Sequence, residues 1–371
     1  MPKSSSLTSL LAAATVASLA LLPGTASAAS SADSLARVGT LHVPGQPLAV
    51  FDIGYVSQDG IYALADRSNG GLDLFDAATD KYLGRAGGFT GFNKASGTKV
   101  AGPNGVVAVG AHEFWASDGD SSVKVVDTRT KKVVASIPTN GKKRTDEIAY
   151  DPADHLVIAV NNADDPPFVT FISTRTRKVV GRLELPHATD GAEQPLYDPA
   201  TKLIYLSIPV VDKVDANGAV AVISPRSHTL VRMLPVQKCM PAGLALGPHD
   251  NLLLGCSDDG VDAGFPAHSI VMNARSGKIE ADVPVGGSDE VWSDMSNHRY
   301  YLAAVANKGG PALGVVDSLH NRMIAAIPTG PRAHSVAVDA KNGKVFVPIQ
   351  ADASMAGCSQ GCIAVFGAKG H

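Results

Sequence analysis

The feature that most restricts the fold is an internal repeat. Val123-Lys124-Val125-Val126-Asp127, a polar turn, and Lys132-Val133-Val134-Ala135-Ser136-Ile137-Pro138 form a β-branched run, a turn and a second run, the pattern of a hairpin. The phrase returns over residues 169–183, 220–234, 269–283 and 313–327, and more loosely over 72–84. Between these hairpins lie further pairs of short runs, such as 147–151 with 156–160 and 335–339 with 344–347. The first ladder position of each pair falls at residues 53, 106, 148, 195, 244, 291 and 336. The starts are 42 to 53 residues apart, with four strands per interval and almost no helical periodicity. One such unit cannot bury its faces alone, so the units must stack around an axis. The sequence predicts an all-β chain forming a seven-bladed β-propeller with four-stranded blades. No Trp-Asp repeat signature occurs, which separates it from WD40 arrays.

The two ends complete the count. After residue 336 only three strands remain, ending over 363–366, while the run over 37–43 has no neighbour to pair with. Pairing the two supplies the missing strand of the last blade and removes an open edge. The longest interval contains residues 91–99, which read as a surface insertion.

Composition sets the compartment. The 371 residues are 45% hydrophobic and 18% charged, enough for a large core. Lys3, an apolar run over 10–22, the Pro23-Gly24 break and Ala26-Ser27-Ala28 make residues 1–28 a secretory signal with cleavage after Ala28. That leaves 29–371 as one propeller domain, secreted or periplasmic, with no membrane anchor. The net charge is -3 at pH 7. This carries no basic footprint, so nucleic acid is excluded as a partner, and a small molecule or extracellular partner is expected. The four cysteines, Cys239, Cys256, Cys358 and Cys362, are an even number in an exported chain and point to disulfides. Cys358 and Cys362 share a Gly/Ser loop, and Cys239 and Cys256 flank neighbouring strand patterns. A lone C-x3-C has poor spacing for zinc.

Ile327-Pro328-Thr329-Gly330-Pro331-Arg332-Ala333-His334-Ser335-Val336-Ala337-Val338-Asp339, followed by Gly343-Lys344-Val345-Phe346-Val347, resembles the YVTN-type propeller repeat. Residues 136–141 look like a second copy. The resemblance implies the propeller fold. It implies no single function, because such chains include surface-layer proteins, YncE-type periplasmic binding propellers and quinoprotein-like or lactonase-like proteins.

In a propeller the first strand of each blade lines the axis, so equivalent entry positions converge there. These read Phe51-Asp52, Asn104-Gly105, Asp146-Glu147, Glu193-Gln194, Ala242-Gly243, Asp289-Glu290 and His334-Ser335. The repeat usually carries small residues or His at this point, and three blades carry acidic-polar pairs instead. Two chemistries follow. Asp52, Asn104, Glu147, Glu193 and Asp289 are an oxygen-rich set that would ligate a divalent cation, calcium or magnesium, as cofactor. Alternatively, Glu147, Glu193, Glu290 and His334 would act as acid and base, since crowded carboxyls raise one another's pKa. Arg144, His187 and Arg332 are candidates to hold a ligand. A wet tunnel also tolerates polar lining, so structural lining is the competing explanation. Trp115 and Trp292 sit in strand patterns and are expected in the core. No Walker loop, dinucleotide fingerprint or G-x-S-x-G nucleophile elbow is recognised, which argues against nucleotide, nicotinamide and serine-hydrolase chemistry. The leading expectation is a binding protein holding a small molecule, ion or extracellular partner at the channel. The alternative is a metal-dependent hydrolase, lactonase- or esterase-like, or a lyase at the same acidic mouth.

Overall fold

The computed structural model describes residues 35–368 and Met1. The expected signal over residues 1–28 lies outside them. Seven antiparallel four-stranded sheets carry the chain. From the axis outward, blade one is Gly54–Val56, Ile61–Asp66, Gly71–Asp76 and Lys81–Gly87. Blades two, three and four begin with Val106–Val109, Ile148–Asp151 and Pro195–Asp198; blades five and six begin with Pro241–Leu246 and Ser288–Asp294. Blade seven runs Ala337–Asp339, Lys344–Ile349, Cys362–Ala368, with Leu35–Leu41 outermost. The last pair is antiparallel, from Leu35 opposite Ala368 to Leu41 opposite Ile363, so the N-terminal strand supplies the fourth strand. It begins two residues earlier than the sequence pattern suggests.

The repeat is legible because the same turn recurs. Asp127 Oδ1 accepts from the backbone N–H groups of Arg129 (3.0 Å) and Thr130 (2.9 Å), and Lys131 takes φ 55° before the outer strand. Asp76 with Asp80, Asn273 with Gly277 and Asp317 with Asn321 repeat the construction. The side chain caps the turn and the left-handed residue reverses the chain. Each outer hairpin of blades one to six then shifts register at the same step, as at Leu74/Phe75, Val125/Val126 and Val315/Val316. This bulge twists the edge strand.

Alternating side chains fill the gaps between blades. Val169, Phe171, Leu206 and Ile223 are buried together in one cluster from blades three and four. At the seam between blades one and seven, Tyr62 stacks on Phe346 with centroids 4.6 Å apart. Trp115 is fully buried as expected, whereas Trp292 is only partly so. Both disulfides form, Cys239–Cys256 within blade five and Cys358–Cys362 in blade seven. Two disulfides fit an extracellular or periplasmic location. Among the described residues no helix is long and apolar enough to cross a membrane.

The closing strand covers an otherwise free sheet edge. A chain beginning at Pro44 is predicted to self-associate, seen as a larger species by light scattering, and to unfold at lower temperature. A monomer with unchanged melting would show that the strand does not close the ring.

Candidate functional site

The axial positions align through their backbones. The N–H groups of Asp52, Asn104, Asp146 and Glu193 donate to the carbonyls of Ala65, Ser117, Val160 and Ser207, the same step in four successive blades. The ladder therefore pairs Asp52 with Ile53 at the blade-one entry, one residue on from the expected Phe51-Asp52. Two residues beyond those carbonyls lie Arg67, Gly119, Asn162 and Pro209. Arg67, Asn162 and Pro209 all face the same cavity.

That cavity, about 650 Å³, occupies the channel mouth. Asp52, Arg144, Glu147, Glu193, Asp289, Arg332 and His334 line it, so most of the expected site residues converge. Glu290, 3% exposed and next to Asp289, is hydrogen-bonded to Glu147. The structure places two expected residues elsewhere. Asn104 is fully buried, its Oδ1 accepting from Arg67 Nε at 2.8 Å and its Nδ2 donating to the Thr145 carbonyl at 2.6 Å. It positions Arg67 and does not line the cavity. His187 pairs with Asp212 at 2.8 Å and lines a separate apolar cavity of about 310 Å³ that also takes in blade-four residues. It sits on the outer part of the loop whose far end, Asp190 to Glu193, reaches the mouth.

One side of the mouth is neutralised by guanidinium groups. Arg67, 5% exposed, is ion-paired to Asp52 and lies 3.6 Å from Asp146 Oδ1. Arg144 Nη2 donates to Asp146 Oδ2 at 2.5 Å and its Nη1 to the Thr98 carbonyl at 3.3 Å. Burial raises the Asp52 pKa, but Arg67, His334 and Arg144 outweigh it, so Asp52 sits below the ordinary carboxyl range. For Asp146 burial prevails over Arg144 and Arg67, and its pKa is raised. His334 stacks on Phe51 at 4.8 Å, Nδ1 facing the Arg332 carbonyl (2.7 Å) and Nε2 lying 3.6 Å from Asp52. Burial lowers its pKa, but the Asp52 and Asp289 carboxylates raise it by more, favouring imidazolium.

The other side has less of that compensation, from Arg144 acting on Glu193 and His334 on Asp289. Burial pushes Glu147 up to about 8, helped by Asp146, Asp52 and Asp289 and partly offset by Glu290. Glu193 and Glu290 stand well above the usual range, first through burial, then through neighbouring carboxylates. Asp289 is raised to about 7, burial again leading, with His334 opposing and Asp258, Asp52 and Asp146 adding. Glu147 and Glu290 act on each other directly, and both are raised, burial leading in each. Tyr55 of blade one meets Trp292 of blade six edge-to-face, centroids 5.2 Å apart.

Among the described residues no group of three or more His, Cys, Asp or Glu gathers in a metal-holding arrangement. Gly357-Cys358-Ser359-Gln360-Gly361 does spell G-x-S-x-G, contrary to the sequence reading. It lies in the loop between Lys344–Ile349 and Cys362–Ala368, with Cys358 in a disulfide. No helix follows it, so it is no strand-to-helix elbow. Arg67 was not anticipated because it follows the second strand of its blade; aligning the ends of those strands would have flagged both it and Asn162.

These features define a seven-bladed β-propeller with an acidic channel mouth. No protein-family model and no curated protein matches the chain. Among solved structures it is similar to hydrazine synthase of Kuenenia stuttgartiensis, with a TM-score of 0.65 and 14% identity over 82% of this chain and 95% of that one. At that identity the likeness shows the propeller fold alone.

The raised carboxyls predict an unusual pH dependence. Between pH 5 and 8.5 the folded protein holds protons that the unfolded chain has released, so stability falls as pH rises. Glu147→Gln should raise the melting temperature by about 3–8 °C at pH 8.5 and leave it within about 1 °C at pH 5. Equal effects at both pH values would show that Glu147 titrates normally.

Proposed function

We propose that this is an exported binding propeller of the YVTN-like type that holds a small polar molecule at its channel mouth. The observation that carries the reading is the set of Glu147, Glu193, Asp289 and Glu290 around one open cavity, three of them lining it. Glu147 and Glu290 are buried and Glu193 and Asp289 partly so, and taking these carboxyls from water opposes stability. Buried groups that work against the fold are expected where a ligand compensates them. The paired cysteines and the leading apolar segment support export.

A ligand that brings positive charge displaces protons from these carboxyls, so its affinity rises from pH 6 to pH 8.5. A thermal-shift screen of small metabolites at both pH values tests this. Stabilising compounds should act more strongly at the higher pH, and Glu193→Gln should weaken them at least tenfold. Compounds that stabilise the wild type and the Glu193→Gln protein equally bind elsewhere and contradict the reading.

A second reading rests on the Glu147–Glu290 hydrogen bond, which places a protonated and an ionisable carboxyl side by side, the elements of acid–base hydrolysis or elimination. Its metal-dependent form lacks support, because the described residues do not gather three ligands. Turnover of esters or lactones by the wild type, lost in Glu147→Gln, is the result that would favour it over binding.

A further inference from the structure

Resting on the binding reading, we infer that the ligand is an organic cation with two or more amino groups, held by Glu147, Glu193 and Asp289 together with Asn162. The first argument is charge. Eight acidic side chains line the mouth against four basic ones and His334. Arg67 and Arg144 are already committed to Asp52 and Asp146. Arg144 also acts on Glu193 and His334 on Asp289, yet the wall formed by Glu147, Glu193 and Asp289 keeps an excess of acidic groups.

The second argument is an orphan acceptor. Asn162 lines the cavity, is 7% exposed, and its Nδ2 reaches Glu193 Oε1 at 3.5 Å. Its Oδ1 is buried with no hydrogen-bond partner. A buried carbonyl oxygen left unmatched costs about 1–3 kcal/mol, and an N–H donor beside Glu193 removes that cost. An ammonium group offers such donors and a charge that suits the neighbouring carboxylate.

The third argument separates an organic cation from a metal ion. The carboxyls are distributed over blades three, four and six, and no three converge on a point. A single ion cannot satisfy them, whereas a chain with several amines can address each in turn. The cavity, about 650 Å³, is of small-molecule size. Phe92 on its wall, 37% exposed, offers ring surface to an alkyl segment or an ammonium head.

The test is calorimetric titration of the full-length mature chain at pH 8 with spermidine, putrescine, n-butylamine, calcium, magnesium and xylitol. Spermidine and putrescine should bind at least tenfold more tightly than butylamine, and calcium and magnesium should not compete at equal concentration. Glu193→Gln should cost at least tenfold and Asn162→Ala three- to tenfold, while Asp59→Asn, on a remote turn, should change nothing. Far-ultraviolet dichroism and melting at pH 5 check that each variant is folded. Equal binding of mono- and diamines, competition by calcium, or an equal loss in Asp59→Asn would overturn the inference. Binding of xylitol alone, abolished by Glu193→Gln, would overturn the cation class and leave the binding reading standing. Absence of binding by any probe, together with no hit in the metabolite screen, would remove both.

Discussion

Closing seven sheets around one axis forces side chains that are remote in sequence into a space with little water. A carboxylate in such a space loses hydration, and a second one nearby adds repulsion. The chain resolves this differently on the two sides of the mouth. Asp52 and Asp146 are held by Arg67 and Arg144, with Asn104 steadying Arg67 from behind. Glu147, Glu193, Asp289 and Glu290 have weaker positive compensation, from Arg144 on Glu193 and His334 on Asp289, and burial pushes all four toward the protonated form. The second solution is reversible, which gives the site its chemistry.

Much of this was legible in the sequence, for physical reasons. Asp127 and its counterparts cap their turns with a short polar side chain, and a left-handed residue follows four positions later, so each outer hairpin leaves the same trace. The backbone step at the blade entries recurs in four successive blades, and counting from the entry strands placed Glu147, Glu193 and Asp289 at one opening. What was not legible depends on side-chain reach. Arg67 follows the second strand of its blade, outside the entry column, and its long side chain reaches Asp52 at the mouth. Asn104 stands in the right column, yet its amide is consumed by Arg67 and Thr145. His187 sits on the correct loop, but the loop folds outward before returning to Glu193. The spelling of Gly357 to Gly361 carries no information without the strand and helix that an elbow requires.

The fold itself says little about what is bound. A propeller neighbour at 14% identity shares the ring and leaves the mouth undetermined. What favours a guest is local cost: crowded carboxyls at the mouth and an unmatched carbonyl on Asn162. Trp292, expected as ordinary core, is only partly buried and meets Tyr55 edge-to-face.

The central claim is that several mouth carboxyls remain neutral at physiological pH. Infrared spectroscopy of the carboxylic C=O stretch in the full-length mature protein, followed by pH titration, reads that directly. The account predicts a protonated-acid band that persists at pH 7, weakens in Glu290→Gln and disappears only as the pH rises further. A spectrum in which every carboxyl has ionised by pH 5.5 would contradict it.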